Sequence, residues 1–224
     1  MVKRYPEYRS VPFSPFSTLS PACPSLDAAA HNFSSFHFQE AIRPVLKSSD
    51  RALCHEHTSS LVRSSARKKI LDQYKIDNEV IASNVDEDEV KDSLLAEGAN
   101  PLSISKNLAE IKSIKISCKF PDRIVLGADS VISLNEELIN KPKSREEAFH
   151  ILKKLNNSKH YLISSVCLSK NGAMIWNYSE SSELRMKNLS DDDLTAYLDK
   201  IETKTLLAYG VYQIEADGLE LFEY

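Results

Sequence analysis

The pattern of apolar and polar residues predicts a β-sheet in the part of the chain that follows residue 58. The short apolar run Ile124–Leu126 contains β-branched residues and is typical of a buried strand. Residues 160–169 and 173–186 predict two further strands, joined by a hairpin turn at Asn171-Gly172. Shorter runs predict strands at residues 79–82 and 210–215.

Apolar residues at helical spacing predict helices between these strands. Ser144 and Glu147 have the spacing of a capping box, and the apolar positions that follow them predict an amphipathic helix. Other helix starts are predicted at Asp86–Glu89, Pro101 and Ser190–Asp193. Because helices and strands are mixed and one hairpin is clear, the predicted fold class is α/β with a mixed sheet.

The first 58 residues differ in composition from the rest of the chain. Six of the nine prolines and four of the six histidines lie there, and the segment has neither a helical nor a strand period. We therefore predict a disordered N-terminal extension over residues 1–58 and one folded domain over residues 59–224. The polar stretch at residues 59–62 is not predicted to be a core strand.

Charge and cysteine content narrow the function classes. A formal net charge of −4 argues against a general nucleic-acid binder. No apolar run approaches the roughly 18–20 residues that span a bilayer. None of the four cysteines forms a CxxC pair, so we expect reduced thiols in a cytoplasmic protein, with Cys118 and Cys167 in the core.

Asp129 carries a chemical signal because it directly follows the predicted buried strand. A carboxylate buried there costs several kcal/mol unless a metal, a cation or hydrogen-bond donors meet it. Lys141 follows twelve residues later, after a turn at Asn135-Glu136 that would fold the chain back beside that strand. The acid and the lysine predict a site for one small anionic ligand. The alternative is a solvated aspartate and lysine at a sheet edge.

A second candidate site is the loop that contains Ser65, Arg67 and Lys68. Serine hydroxyls, free backbone N–H groups at a helix start and consecutive cations together predict a phosphate cradle. The alternative is an ordinary capped helix with a solvated basic turn.

Taken in order along the chain, eight segments resemble the Maf family of nucleoside triphosphate pyrophosphatases. They are SSARKK, VDEDEVKDSLLAEG, LAEIKSIK, LGADSV, LINKP, EEAFHILKKL, HYLISSV and GVYQIEADG. The resemblance implies a mixed α/β fold of the Maf/ITPase-like type, with a nucleotide cleft. It also implies hydrolysis of a nucleoside triphosphate to the monophosphate and pyrophosphate, which would remove non-standard or modified nucleotides from the pool. The implied cofactor is a divalent cation, Mg²⁺ or Mn²⁺.

The resemblance implies roles for individual residues. Asp129 matches the acid of the family's GADTVV strand and Lys141 the lysine of its KP segment, so both are implied to be catalytic. Asp86 and Asp129 are implied to hold the metal, and which acid is the base stays open. The implied substrate-binding residues are Ser65, Arg67, Lys68, Lys112, Gln213 and Glu215.

Three departures from the family pattern bear on these expectations. Arg63 and Ala66 replace a serine and a proline of the loop, which removes a fixed backbone angle at the helix entry. Glu215 stands where many members have the glutamine of YxIQG, and the branch associated with 7-methyl-GTP has glutamate there. The base specificity stays open between that substrate and dTTP or UTP.

The third departure is that the chain stops at LFEY, before a segment like GDYxxxxGLPL. We therefore expect a C-terminally truncated domain, in which a homodimer would cover the exposed core. The alternatives to an active enzyme are a catalytically weak nucleotide-binding or division-related protein and a non-functional fragment. Beyond the nucleotide substrate we expect neither a nucleic acid polymer nor a membrane as partner.

Overall fold

The computed structural model describes residues 58–60, 68, 71–72, 78–214 and 217–223. The strands in this part of the chain are β1 (Thr58–Ser60), β2 (Ile124–Leu134), β3 (Glu137–Ile139), β4 (Lys159–Lys170) and β5 (Ala173–Arg185). The helices are α1 (Glu87–Ala96), α2 (Pro101–Ser117), α3 (Arg145–Leu155), α4 (Asp191–Asp199) and α5 (Thr203–Tyr209), followed by a 3₁₀ helix at Asp217–Leu221.

The strands form one mixed sheet in the order β1-β2-β4-β5, which confirms the predicted fold class. β1 is parallel to the start of β2, and the other pairings are antiparallel. On the edge of β2 away from β4, β1 pairs with Ile124–Leu126 and β3 pairs with Ile132–Leu134. Within the described chain, residues 127–131 therefore have no strand beside them on that edge, and Asp129 lies at the middle of this gap.

The two predicted turns are confirmed. Asn171 and Gly172 both have positive φ angles and join β4 to β5, as a type I′ turn requires. Asn135 and Glu136 also have positive φ angles and join β2 to β3. These turns place β3 and β5 beside their partners, as the sequence pattern indicated.

Three strand assignments need correction. Residues 79–82 do not form a strand; Ile81 packs against the core, whereas Val80 is 47% exposed. Residues 210–214 do not form a strand either, since Gly210 ends α5 with φ 99° and Tyr212 packs directly into the core. Their alternation reflects side-chain packing. Conversely, the polar segment Thr58–Ser60 does form a strand, because backbone hydrogen bonds to β2 do not require apolar side chains.

The helix starts agree with the predictions. Asp86, Asn100, Ser144 and Ser190 are N-caps whose side chains accept a backbone N–H. Ser190 completes a reciprocal capping box. At Ser144 only half of the predicted capping box forms. The Ser144 hydroxyl accepts the backbone N–H of Glu147, but the Glu147 carboxylate accepts a hydrogen bond from the backbone N–H of Lys143 and not from that of Ser144.

The sheet separates two differently built layers. α2 covers the face that carries Gly127 and Asp129, whereas Leu134 on the other face packs into the main apolar cluster. That cluster includes residues from α3, α4, α5 and the C-terminal segment. Cys167 is buried as predicted, but Cys118 is exposed because it lies just beyond the end of α2. Both thiols are free.

Candidate active site

Asp129 is buried at the middle of the central strand, with an exposure of 6%. Gly127 lies two residues earlier on the same face, where an added Cβ would stand 2.3 Å from the carbonyl oxygen of Ala109. The glycine therefore lets α2 lie directly against β2. This close approach brings Lys112 of α2 to the carboxylate, with 2.6 Å between Lys112 Nζ and Asp129 Oδ1. The alternative of a solvated aspartate at a sheet edge is thus wrong.

Glu87 connects this pair to Lys141. Lys112 Nζ lies 2.9 Å from Glu87 Oε1, and Lys141 Nζ lies 3.8 Å from Glu87 Oε2. The four side chains of Asp129, Lys112, Glu87 and Lys141 form a continuous group, which we call the acid–lysine group. Lys112 lies on α2, which packs against β2 at Gly127, and Lys141 follows β3, which pairs with the end of β2. Residues distant in sequence therefore meet beside residues 127–131, the segment of β2 that has no strand on that edge.

The sequence reasoning chose Asp86 and missed Glu87. The Asp86 side chain is exposed and accepts a hydrogen bond from Glu89 N at 3.1 Å, so it caps α1. Glu87 is the first residue of that helix, and its side chain is turned towards Lys112. The sequence contained a signal for this choice. A carboxylate at the N-cap accepts a backbone N–H of its own helix, whereas the carboxylate of the next residue stays available for other contacts.

The electrostatics favour an ionised Glu87 at neutral pH. Burial would raise the pKa of Glu87, but the nearby Lys112, Lys141 and Lys91 outweigh it and hold that pKa below its usual range. Asp129 Oδ1 is bonded to Lys112, whereas Oδ2 is buried and has no hydrogen-bond partner among the described residues. A buried carboxylate oxygen without a donor is costly and marks a position for a water or a cation.

Two of the other predicted site residues, Lys68 and Gln213, are described, and neither contacts this group. Lys68 lies at an exposed helical position, where it forms an ion pair of 2.9 Å with Asp72. Gln213 lines a separate cavity with residues that follow α4, and its carbonyl accepts a hydrogen bond from Gly218. Ser65, Arg67 and Glu215 fall outside the described residues.

On the described part of the chain, no three His, Cys, Asp or Glu side chains are close enough to form a metal cluster by themselves. The two carboxylates of the acid–lysine group supply oxygen atoms only, which suits a hard cation that keeps waters and phosphate oxygens as its remaining ligands. None of the described helices is both long and apolar enough to cross a lipid bilayer.

The fold and the site together define a mixed α/β protein in which a buried aspartate of the central strand is paired with a lysine and joined through a glutamate to a second lysine. The chain belongs to the family described as Maf-like protein, whose model matches residues 62–224. This confirms the resemblance that the sequence segments indicated.

Individual relatives agree with this assignment. The chain is 56% identical over 160 residues to a nucleoside triphosphate pyrophosphatase of Pelagibacter ubique, covering 71% of this chain and 82% of that protein. It is 30% identical over 169 residues to a 7-methyl-GTP pyrophosphatase of Rhizobium etli, covering 74% and 85% of the two chains. Among solved structures, the Ham1 protein of Staphylococcus aureus is similar with a TM-score of 0.33 and 18% identity, over 58% of this chain and 72% of that one. The enzyme class that the resemblance implied is the class that the relatives' names state.

Proposed function

We propose that this chain hydrolyses a nucleoside triphosphate to the monophosphate and pyrophosphate, and that it acts on non-standard or modified nucleotides in the cytoplasm. The observation that carries the proposal is the acid–lysine group, in which a buried carboxylate with a free oxygen stands beside a lysine. The relatives from Pelagibacter ubique and Rhizobium etli, named for this chemistry, support it.

In the proposed reaction, water attacks the α-phosphorus and the bond from phosphorus to the bridging oxygen of pyrophosphate breaks. Asp129 accepts the proton of the water at Oδ2, the oxygen that Lys112 leaves free. Lys112 fixes the orientation of the carboxylate through Oδ1. Lys141, whose side chain is 45% exposed, offers positive charge at the edge of the group where phosphate oxygens approach.

A divalent cation fits the proposed site, because Asp129 and Glu87 present carboxylate oxygens and a triphosphate supplies more. Asp86 stays a candidate ligand, although its carboxylate caps α1. When bound, Mg²⁺ or Mn²⁺ would neutralise charge on the phosphates. Glu87 also bridges Lys112 and Lys141, so it holds both ammonium groups at the site whether or not the cation is present.

The remaining predicted residues complete the proposal. Ser65, Arg67 and Lys68 would bind phosphate oxygens, and Gln213 and Glu215 would read the edge of the base. The glutamate at position 215 favours 7-methyl-GTP over dTTP and UTP in this proposal. A homodimer stays a prediction.

The test is release of pyrophosphate from a panel of normal and methylated triphosphates, measured with Mg²⁺ present. We expect Asp129→Asn to lower kcat at least about 100-fold, because the carboxylate that accepts the proton is lost. Ser130→Ala is the matched control, since Ser130 is the next residue of β2 and lies on the opposite face. Absence of turnover of every triphosphate by the wild-type chain would contradict the proposal.

A further inference from the structure

Residues 81–86 have no regular secondary structure and lead directly into α1. At one end of this segment, Ile81 packs against the apolar cluster that contains Ile116, near the end of α2. Immediately after its other end, Glu87 is paired with Lys112, about one turn earlier on α2. The segment therefore runs along α2, from the end of that helix back to the acid–lysine group.

The middle of the segment is held by Lys115 of α2. Its Nζ donates a hydrogen bond to the backbone carbonyl of Asn84 at 2.5 Å. Asn84 has a φ of 49°, a left-handed conformation that asparagine adopts more readily than most residues. Hydrogen bonds from a charged donor are stronger than those from a neutral one. The contact therefore fixes the backbone three residues before Glu87.

Lys115 and Lys112 lie three residues apart on α2, so their side chains project from the same side of the helix. Lys112 is paired with the carboxylates of Asp129 and Glu87, whereas Lys115 is exposed and bonded to a backbone carbonyl. The link between Lys115 and the acid–lysine group thus runs through the backbone that carries Glu87.

The position of Glu87 matters in the proposed reaction. Its carboxylate oxygens lie 2.9 Å from Lys112 and 3.8 Å from Lys141, and it is a proposed ligand of the cation. A misplacement of about 1 Å in a reacting site can lower the rate of turnover about 100-fold. Because α1 begins at Glu87, the placement of this residue depends on the backbone that precedes it.

We propose that Lys115 is a positioning residue, which holds residues 84–86 against α2 so that the Glu87 carboxylate reaches Lys112. The inference rests on the proposed function, in which Glu87 serves the hydrolysis of a triphosphate. Lys115 does not contact the substrate in this proposal, so its loss acts on kcat and leaves KM nearly unchanged.

The first experiment compares release of pyrophosphate from a triphosphate by the wild-type chain, Lys115→Met, Lys115→Arg and Lys106→Met. Lys106 is the matched control, because it is an exposed lysine of the same helix. We expect Lys115→Met to lower kcat roughly tenfold and to change KM less than about threefold. Lys115→Arg keeps a cationic donor and should stay within about threefold of the wild type.

A double variant tests whether Lys115 acts through Glu87. In Lys115→Met/Glu87→Gln the carboxylate to be positioned is already lost, so Lys115→Met should cause less than about a twofold further loss of kcat. The same loss in both backgrounds would overturn the proposal, as would equal kcat for Lys115→Met and Lys106→Met. A rise in KM at unchanged kcat would show contact with the substrate and likewise contradict it.

Amide hydrogen exchange tests the anchoring without turnover. At the start of α1, the N–H of Glu89 donates to the Asp86 side chain at 3.1 Å and that of Val90 to the Asp86 carbonyl at 3.3 Å. Both should exchange roughly tenfold faster in Lys115→Met than in Lys106→Met, because the segment before them opens more often. Equal exchange would refute the anchoring. A wild-type chain that hydrolyses no triphosphate would refute the proposed function alone, since the exchange rates still test Lys115.

Discussion

Both faces of β2 carry buried residues, yet the chemistry of the two faces differs. On the face covered by α2, polar groups lie between helix and strand, including Asp129 with Lys112 and the hydroxyl pair of Ser113 and Ser169 at 2.7 Å. On the opposite face, Leu134 joins an apolar cluster built from three helices and the C-terminal segment. Burial by itself therefore does not indicate function here.

On the apolar face, two buried polar side chains, His160 and Tyr212, are paired with each other. His160 is fully buried, and its Nε2 lies 3.0 Å from the hydroxyl of Tyr212. The rings of Tyr212 and Phe222 both stand 5.7 Å from the imidazole. Burial lowers the pKa of His160 to about 4, although the backbone of Ser158 partly opposes this. On the α2 face, by contrast, burial would raise the pKa of Glu87, but the lysines beside it hold that pKa below its usual range.

Removing the ammonium group of Lys112 is expected to have the largest effect on the free energy of unfolding. In Lys112→Met, the carboxylates of Asp129 and Glu87 lose their common partner while staying buried. We expect the free energy of unfolding to fall by about 3–5 kcal/mol, as when one partner of a buried ion pair is removed. Chemical denaturation of the variant against Lys106→Met measures this.

A double variant sharpens that result. In Lys112→Met/Asp129→Asn the unpaired charge at position 129 is also removed, so the loss should be smaller than the sum of the two single losses. Additive losses would contradict the close coupling that the 2.6 Å contact indicates.

The apolar face is expected to respond to pH through His160. Because its folded-state pKa of about 4 lies below the ordinary 6.5, the neutral imidazole contributes stability that is present above pH 6.5 and is lost as the pH falls towards 4. The shift corresponds to about 3 kcal/mol over this window. His160→Gln, which retains a polar group for Tyr212, should lose that part of the pH dependence.

Denaturation curves between pH 4 and 7 compare this variant with the wild type, and His150→Gln at an exposed helical position serves as the control. Parallel pH profiles for the wild type and His160→Gln would show that the imidazole is not kept neutral by the fold.

A smaller effect is expected at Gly127, where the close packing of α2 on β2 requires a residue without a side chain. Gly127→Ala would place a Cβ 2.3 Å from the backbone oxygen of Ala109 and push α2 away from β2. We expect about 2 kcal/mol of lost stability from overpacking, with a loss of activity because Lys112 moves relative to Asp129. Gly98→Ala meets no atom within 4 Å, but Gly98 has a φ of 78°, so this variant should lose stability through backbone strain while its activity stays unchanged. Activity equal to that of the wild type in Gly127→Ala would contradict the positioning argument.

The hairpins, the capped helices and the location of Asp129 in a buried strand were predictable, because each depends on residues close together in sequence. Asn171-Gly172 specifies its turn locally, and Ser190 specifies its helix start with residues three positions away. The strand predicted at 210–215 failed because an alternating pattern also arises when side chains of an irregular segment pack into a core.

The amino-acid sequence by itself placed an aspartate in line with a predicted buried strand and predicted a site for an anionic ligand there, and the family resemblance named Asp129, Lys112 and Lys141. Only the tertiary structure decided that Glu87, and not its neighbour Asp86, joins these residues. The reason is physical: α2 packs against β2 at Gly127, and the start of α1 joins them through the contact of Glu87 with Lys112. No local pattern in the sequence encodes the distance between them.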